Sequence, residues 1–269
     1  MQQRTPLARS PHSRRVSARV IRRPDLSRIL RLFAALLLGL LSTHVARAAQ
    51  LDDASGRLEQ ELVARIGYVH AEHQRRLKAA VLAYRDRHFH LALRQFHALA
   101  RVGEAEAQFY LGQMYDLGQG VAADPVRAFS WYHAAARQGH LDAQHNLAIA
   151  YAEGLGVRAD IHKAVRWWIQ SADQGNIDAQ YNLGMVFIMG HGDLPPNPAQ
   201  AVRWWRKAAV NGDALAQYNL GTLYANGEGT RTNYCEAVRW WRRSAANGMR
   251  EAEQLLAQVR KQANFSRCW

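Results

Sequence analysis

The chain has 269 residues and a formal net charge of +13. Residues 1–48 hold ten of the arginines and a single acid, Asp25, which leaves 25 basic and 21 acidic residues, a net of +4, for everything after them. The basic character therefore belongs to the leader, and a pI near 10.3 is no argument for nucleic acid binding.

In the leader, Ile29–Leu41 is the most apolar stretch, and Arg31 leaves only Leu32–Leu41 uninterrupted. A relaxed membrane span needs roughly 20 apolar residues. A basic first part, a short apolar run and then Ala46-Arg47-Ala48 read as a secretory signal cleaved after Ala48. That reading makes the mature protein exported, periplasmic or secreted. The basic part is long for such a signal, as it would be with a start codon assigned too far upstream. Ser13-Arg14-Arg15 lacks the apolar residues that should follow a twin-arginine motif. An Arg-rich, acid-poor leader also fits a mitochondrial transit peptide, and an uncleaved one would be an inner-membrane anchor. The membrane enters the sequence only through this segment.

Residues 49–73 place Leu58, Leu62, Ile66 and Val69 at helical spacing, which predicts an amphipathic helix. Gln74–Gly103 reads as a helix pair, with Ala83-Tyr84 on the first helix and Phe89, Leu93 and Phe96 on the second. This pair resembles a tetratricopeptide unit and makes residues 74–104 an N-terminal cap. His70 and His73 stand one helical turn apart, as two metal ligands would. No third ligand has matching spacing, so we expect exposed histidines, no metal and no cofactor.

From residue 105 the chain repeats. Leu111, Leu147, Leu183 and Leu220 are separated by 36, 36 and 37 residues. Each follows Ala-Gln-x-x and precedes a Gly-x-Gly, a paired aromatic and a terminating glycine. Such a period is the mark of stacked helices. Asp124, Asp160, Asn197 and Asn233 predict N-caps of second helices, with Pro198 at the first helical position of the third. The turn glycines (118/120, 154/156, 190/192, 227/229) separate the two helices, and Gly139, Gly175, Gly212 and Gly248 end the second. The third unit has one extra residue, in its Pro195-Pro196 loop. Gly112, Ala148, Gly184 and Gly221 are small where a neighbouring helix must come close.

On a wheel of about 100° per residue, Ala201, Trp205 and Ala208 share one face of a second helix and Arg203, Arg206 and Lys207 the opposite face. Tyr132, Trp168, Trp205 and Trp241 are then core. Trp131, Trp167, Trp204 and Trp240 fall at the boundary, against an adjacent helix or facing a groove. Arg239, Arg242 and Arg243 continue the basic stripe, which Ser130, His133 and Ala134 lack. Glu251–Lys261 predicts a final unpartnered helix within a C-terminal cap, residues 251–269. Cys235 and Cys268 either pair, tying the tail to the last repeat, or stay free.

Taken together, Ala107–Gly139, Ala143–Gly175, Ala179–Gly212 and Ala216–Gly248 resemble the Sel-one-like repeat (SLR) family, relatives of tetratricopeptide repeats. The resemblance covers most of the chain after residue 74. It implies an all-α fold, an α/α solenoid of stacked helix–turn–helix units with four repeats over residues 105–250. It also implies a non-enzymatic adaptor. Exported bacterial members are linked to envelope assembly, exopolysaccharide machinery, signalling and host interaction. Some relatives are called putative β-lactamases, but those carry paired cysteines in every repeat and this chain does not.

The sequence has no Ser-x-x-Lys, Gly-x-Ser-x-Gly, His-Glu-x-x-His or Gly-x-x-x-x-Gly-Lys word, which lowers the case for an enzyme. We expect a protein or peptide to bind a concave groove. Its candidate residues are Gln108, Gln144, Gln180 and Gln217, with Asn146, Asn182 and Asn219, because amides both donate and accept hydrogen bonds. Trp131, Trp167, Trp204 and Trp240 offer aromatic faces to the same groove, or to cell-wall glycan in the rival reading, and Arg203 and Arg239 offer charge to an acidic partner or anionic lipid. A β-lactam-binding envelope protein is the other rival.

Overall fold

Each second helix starts where a short polar side chain can close its first turn. Asp124, Asp160, Asn197 and Asn233 accept a hydrogen bond from the backbone N–H three residues on, at 2.9–3.2 Å. The first helices of the last three repeats are capped by His140, Asn176 and Asp213 in the same way. A computed structural model describes residues 53–269; the leader, with its proposed signal and cleavage point, lies outside the described residues. The α-helices run α1 Asp53–Arg85, α2 Phe89–Arg101, α3 Ala105–Leu117, α4 Pro125–Ala136, α5 Leu141–Glu153, α6 Ile161–Asp173, α7 Ile177–Met189, α8 Pro198–Val210, α9 Ala214–Asn226, α10 Tyr234–Ala246 and α11 Arg250–Val259, followed by a 3-10 turn, Ala263–Cys268. The fold is the all-α solenoid of helix–turn–helix units that the repeat implied. No described helix is long and apolar enough to cross a membrane.

One boundary differs from expectation. The described part of the 49–73 segment, from Asp53 on, and the first helix of the 74–104 pair are one continuous helix, α1. No glycine, proline or capping residue stands near Gln74 to break it. Residues 64–269 form one compact unit.

The core is divided at the joints between units. Leu111 and Met114 pack with Phe96 and Leu99 from α2 in one cluster, against which Trp131 of α4 rests. Tyr132, Ala135 and Leu147 form the next, with Trp167 of α6 against it. Trp168, Leu183 and Trp204 share the third, and Trp205, Leu220 and Trp240 the fourth. Each cluster thus spans two units, and its closing indole comes from the next second helix along. Truncating a buried tryptophan costs about 3–5 kcal/mol.

The other member of each aromatic pair also packs against the first helix of its own unit, and there the small residue decides how closely. A Cβ on Gly184 or Gly221 would overlap the indole of Trp205 or Trp241. Without it, those indoles lie close enough for Nε1 to donate to the carbonyls of Tyr181 and Tyr218, both at 3.1 Å. In the second repeat Ala148 fills that space, and Trp168 Nε1 is buried without a partner among the described residues. One methyl group separates a satisfied indole from an orphaned one.

The turn after α7 is the irregular one. Gly118, Gly154 and Gly227 end their helices in the left-handed conformation, but Gly190 has φ 69° and ψ 171°. His191 and Leu194 then pair through two 2.9 Å backbone hydrogen bonds, and this small bridge takes up the inserted residue.

At the C-terminal end Cys235 and Cys268 are joined as a disulfide, 33 residues apart in sequence. Phe265 of the 3-10 turn is buried against Tyr234 and Trp241. Exposed α10 is thereby covered by α11 and the tail in place of a further repeat.

His97, His133 and His145 are among the histidines that sit partly inside the stack. Burial holds each imidazole below its ordinary pKa; Arg101 and Arg127 push His97 the same way, and Arg137 pushes His133. The carboxylates of Asp142 and Asp178 oppose this at His145, but burial is the larger effect. His145 holds the place taken by Phe109, Tyr181 and Tyr218 in the other repeats, and its Nδ1 has no partner among the described residues.

Three outcomes are expected from this packing. Gly184→Ala forces the Trp205 indole off its carbonyl and lowers unfolding stability by about 2–4 kcal/mol, measured by urea denaturation. Reducing the disulfide, or Cys268→Ser, removes about 3–4 kcal/mol by the chain-entropy relation for a loop of this length, read as a lower melting temperature. For the histidines the unfolded chain binds protons first, because the folded pKa values are depressed. Stability present above the ordinary histidine pKa of about 6.5 is therefore lost as pH falls from there through the folded-state values. Urea midpoints at about pH 7.5 and about pH 5 should show that loss, and His145→Tyr should shrink it; an equal loss in the variant would remove His145 from the explanation.

Candidate functional site

The glutamines expected in a groove are inside the stack. Gln108, Gln144, Gln180 and Gln217 are only 3–7% exposed. Each Nε2 donates to a carbonyl at the end of the preceding second helix: Ala100 and Ala136 at 3.3 Å, Ala172 and Ala209 at 2.9 Å. Three of the Oε1 atoms accept from the C-terminal end of the second helix of their own unit, Gln108 from Gln138, Gln144 from Gln174 and Gln217 from Asn247, at 2.7–3.0 Å. The amide is used at both ends, so these side chains join repeats and do not face a ligand. The spacing that made them look like a binding row is the spacing of the joint itself.

Gln180 breaks the series. Its Oε1 is buried and has no partner among the described residues. The residue in line to donate is Asn211, the C-cap of α8, which is exposed. The residue type leaves no trace of this break in the sequence: the fourth repeat also ends in Asn-Gly, and there Asn247 does donate to Gln217.

The asparagines behave differently. Asn146, Asn182 and Asn219 are half-buried, one per repeat on α5, α7 and α9. Asn146 lines one cleft with Tyr132, whose hydroxyl donates to Asp116 Oδ2 at 3.3 Å. Burial, with the nearby Asp116 carboxylate, raises the Tyr132 pKa, so the phenol stays protonated. These residues line a small cleft of about 50 Å³ with Ile149 and Leu155. The amides of Asn182 and Asn219 have no hydrogen-bond partner among the described residues.

The boundary tryptophans face an adjacent helix more than open solvent. Trp204 and Trp240 are 4% and 7% exposed, and Trp131 and Trp167 are half-buried. What remains of their outer faces carries cations: Lys207 Nζ lies 4.1 Å from the Trp204 ring centre, and the Arg243 guanidinium 4.7 Å from that of Trp240. A sugar ring has little open indole to stack on in the last two repeats.

The basic stripe lies exposed on α8 and α10, with Lys207 half-covered. Arg239 pairs with Glu236 at 2.6 Å and Lys207 with Asp173 at 3.0 Å. Arg242 lies 4.9 Å from the Trp269 ring centre. Arg206 bonds the Tyr224 hydroxyl, and Arg203 and Arg206 have no carboxylate partner among the described residues. Toward the other end, His73 is bonded to Glu104 at 2.7 Å and is not paired with His70. No group of three candidate metal ligands comes together among the described residues.

Comparison with known proteins agrees with this architecture. The family model described as Sel1 repeat matches four times, over residues 105–140, 141–176, 177–213 and 214–249. Among solved structures, a Sel1 repeat protein from Oxalobacter formigenes is similar, at 29% identity and TM-score 0.64, over 71% of this chain and 75% of that one. So is c5321, described as a protective antigen present in uropathogenic Escherichia coli strains displaying an SLR fold. It is 31% identical, with TM-score 0.67, over 74% of this chain and 42% of that one. This chain thus corresponds to less than half the length of c5321. No curated protein matches the sequence significantly. Four contiguous matches, with the buried joints that repeat at the same period, place this chain in the Sel1 repeat family.

Proposed function

We propose that this protein is an exported, non-enzymatic scaffold that binds an extended protein or peptide segment along its first helices. Sel1 repeat proteins generally act as protein-interaction scaffolds and are typically non-catalytic. The observation that carries the finer reading is the contrast between two amide rows of the same period. The glutamines are buried and used up in the joints, whereas Asn182 and Asn219 are reachable and uncommitted among the described residues. An amide that can donate and accept at each step suits a peptide backbone. Export is supported by the signal-like leader and by the Cys235–Cys268 pair, since disulfides persist in oxidising compartments. Roles in envelope assembly, signalling or host interaction follow from that location.

The test is affinity capture from an envelope extract, with wild-type protein beside Asn182→Ala/Asn219→Ala. Both positions are half-buried, so circular dichroism should show an unchanged helical fold. A protein retained by the wild type and lost from the variant is the expected result. Equal retention by both, with the fold intact, would remove the asparagine row from the binding surface.

A further inference from the structure

The broken joint at Gln180 opens onto a second surface, away from the asparagine row. A cleft of about 600 Å³ is lined by Gln180 and Asn211 and by Val202, Arg203, Arg206 and Lys207 of α8, with Val210 and Ala199 at its edges. Three cations meet there, and their setting is fixed. Lys207 rests on the Trp204 ring at 4.1 Å, Arg203 stands 6.0 Å from the same ring centre, and Arg206 is held by Tyr224. Asp173 answers Lys207 at 3.0 Å, which shows that a carboxylate fits this place. Arg203 and Arg206 remain without an acid among the described residues. In the same cleft Gln180, 3% exposed, holds an acceptor oxygen that no described donor satisfies. An orphaned buried acceptor is costly, and the other three joints do not tolerate one.

We infer that this cleft is a docking site for an acidic peptide segment. A carboxylate side chain pairs with Arg203 and Arg206. A backbone N–H of the same segment, entering past the exposed Asn211, supplies the donor that Gln180 lacks. An aliphatic side chain covers Val210, which is 67% exposed. The need for a donor next to an anion selects a peptide over a bare anion: inorganic phosphate or a phosphatidylglycerol headgroup brings charge without an N–H. Arginine suits the role because its planar donors match a carboxylate. The reading goes beyond the asparagine row and uses none of its residues.

The experiment is fluorescence anisotropy with the full chain and a labelled peptide, Ac-Ala-Glu-Ala-Glu-Val-Glu-amide, at low ionic strength. Its glutamine counterpart and phosphatidylglycerol vesicles are the comparison ligands. The acidic peptide should bind and the glutamine peptide should not. Arg203→Glu/Arg206→Glu should weaken binding by about tenfold or more, while Arg239→Glu, which alters a paired arginine outside the cleft, should stay within about twofold. Asn211→Gln should close the joint as Gln174 closes it at Gln144, raising the melting temperature and weakening the peptide several-fold. The inference is overturned if both peptides bind alike, if Arg239→Glu weakens binding as much as the cleft variant, or if vesicles bind and the peptide does not. Wild-type affinity in Asn211→Gln would overturn the part given to Gln180. Loss here with intact capture in the asparagine test, or the reverse, separates the two surfaces.

Discussion

A single helix pair of this sequence cannot close its own core. The apolar face that Leu147 shares with Trp167, or Leu183 with Trp204, is completed only by the preceding unit, which brings Tyr132 and Ala135 to the first and Trp168 and Ala172 to the second. Stability therefore depends on neighbours, as expected of a stack in which each unit touches mainly the next. The ends need different solutions for the same reason. At one end α1 and α2 bury Phe96 and Leu99 against the first repeat; at the other, Phe265 and the Cys235–Cys268 bridge hold the tail on α10.

Polar groups follow the same logic. Burying a row of glutamines is tolerable because each amide finds a carbonyl behind it and an amide ahead of it. Where the series departs, the departures gather at the third repeat. Its loop carries the inserted residue, its turn glycine Gly190 leaves the left-handed conformation of its counterparts, and its Gln180 has no donor from Asn211. The second repeat has a milder fault, Trp168 kept from a carbonyl by the Ala148 methyl. The orphaned Trp168 and Gln180 atoms have different causes, one steric and one a missing donor, and the second repeat holds His145 Nδ1 as well.

Most of the fold was legible because the repeat writes its physics four times. The second-helix caps, the small first-helix residues and the core aromatics sit where period and helix geometry put them. The site was harder to read, because a shared residue and a ligand-binding residue can have the same period. Gln144 and Asn146 lie on one helix, two positions apart, and both recur every 36 or 37 residues up to the fourth repeat. Only their surroundings separate them: Gln144 turns into the joint, while the asparagine positions stay reachable. The boundary tryptophans posed the same problem. A wheel drawn for one helix puts Trp204 at an edge; the neighbouring unit, absent from the wheel, covers it. The continuous α1 was missed because a change of pattern, from Val69 to the Ala83-Tyr84 pair, was read as a break without a breaker.

Positions that repeat faithfully maintain the stack, so information about a partner must lie where the units differ. Along the second helices Ser130, His133 and Ala134 are replaced in register by Arg203, Arg206 and Lys207, while the small core residues Ala128 and Ala135 keep their counterparts Ala201 and Ala208. Stack stability gives no reason for that gradient: cations over Trp204 and Trp240 add little to indoles that packing already holds, and exposed charge pairs contribute about 0–1 kcal/mol. An unsatisfied buried acceptor in the same cleft works against stability. Locally unfavourable features of this kind persist in proteins mostly where something other than folding uses them. The overlap of charge gradient and broken joint at α8 is what distinguishes this surface from an ordinary solvated helix face.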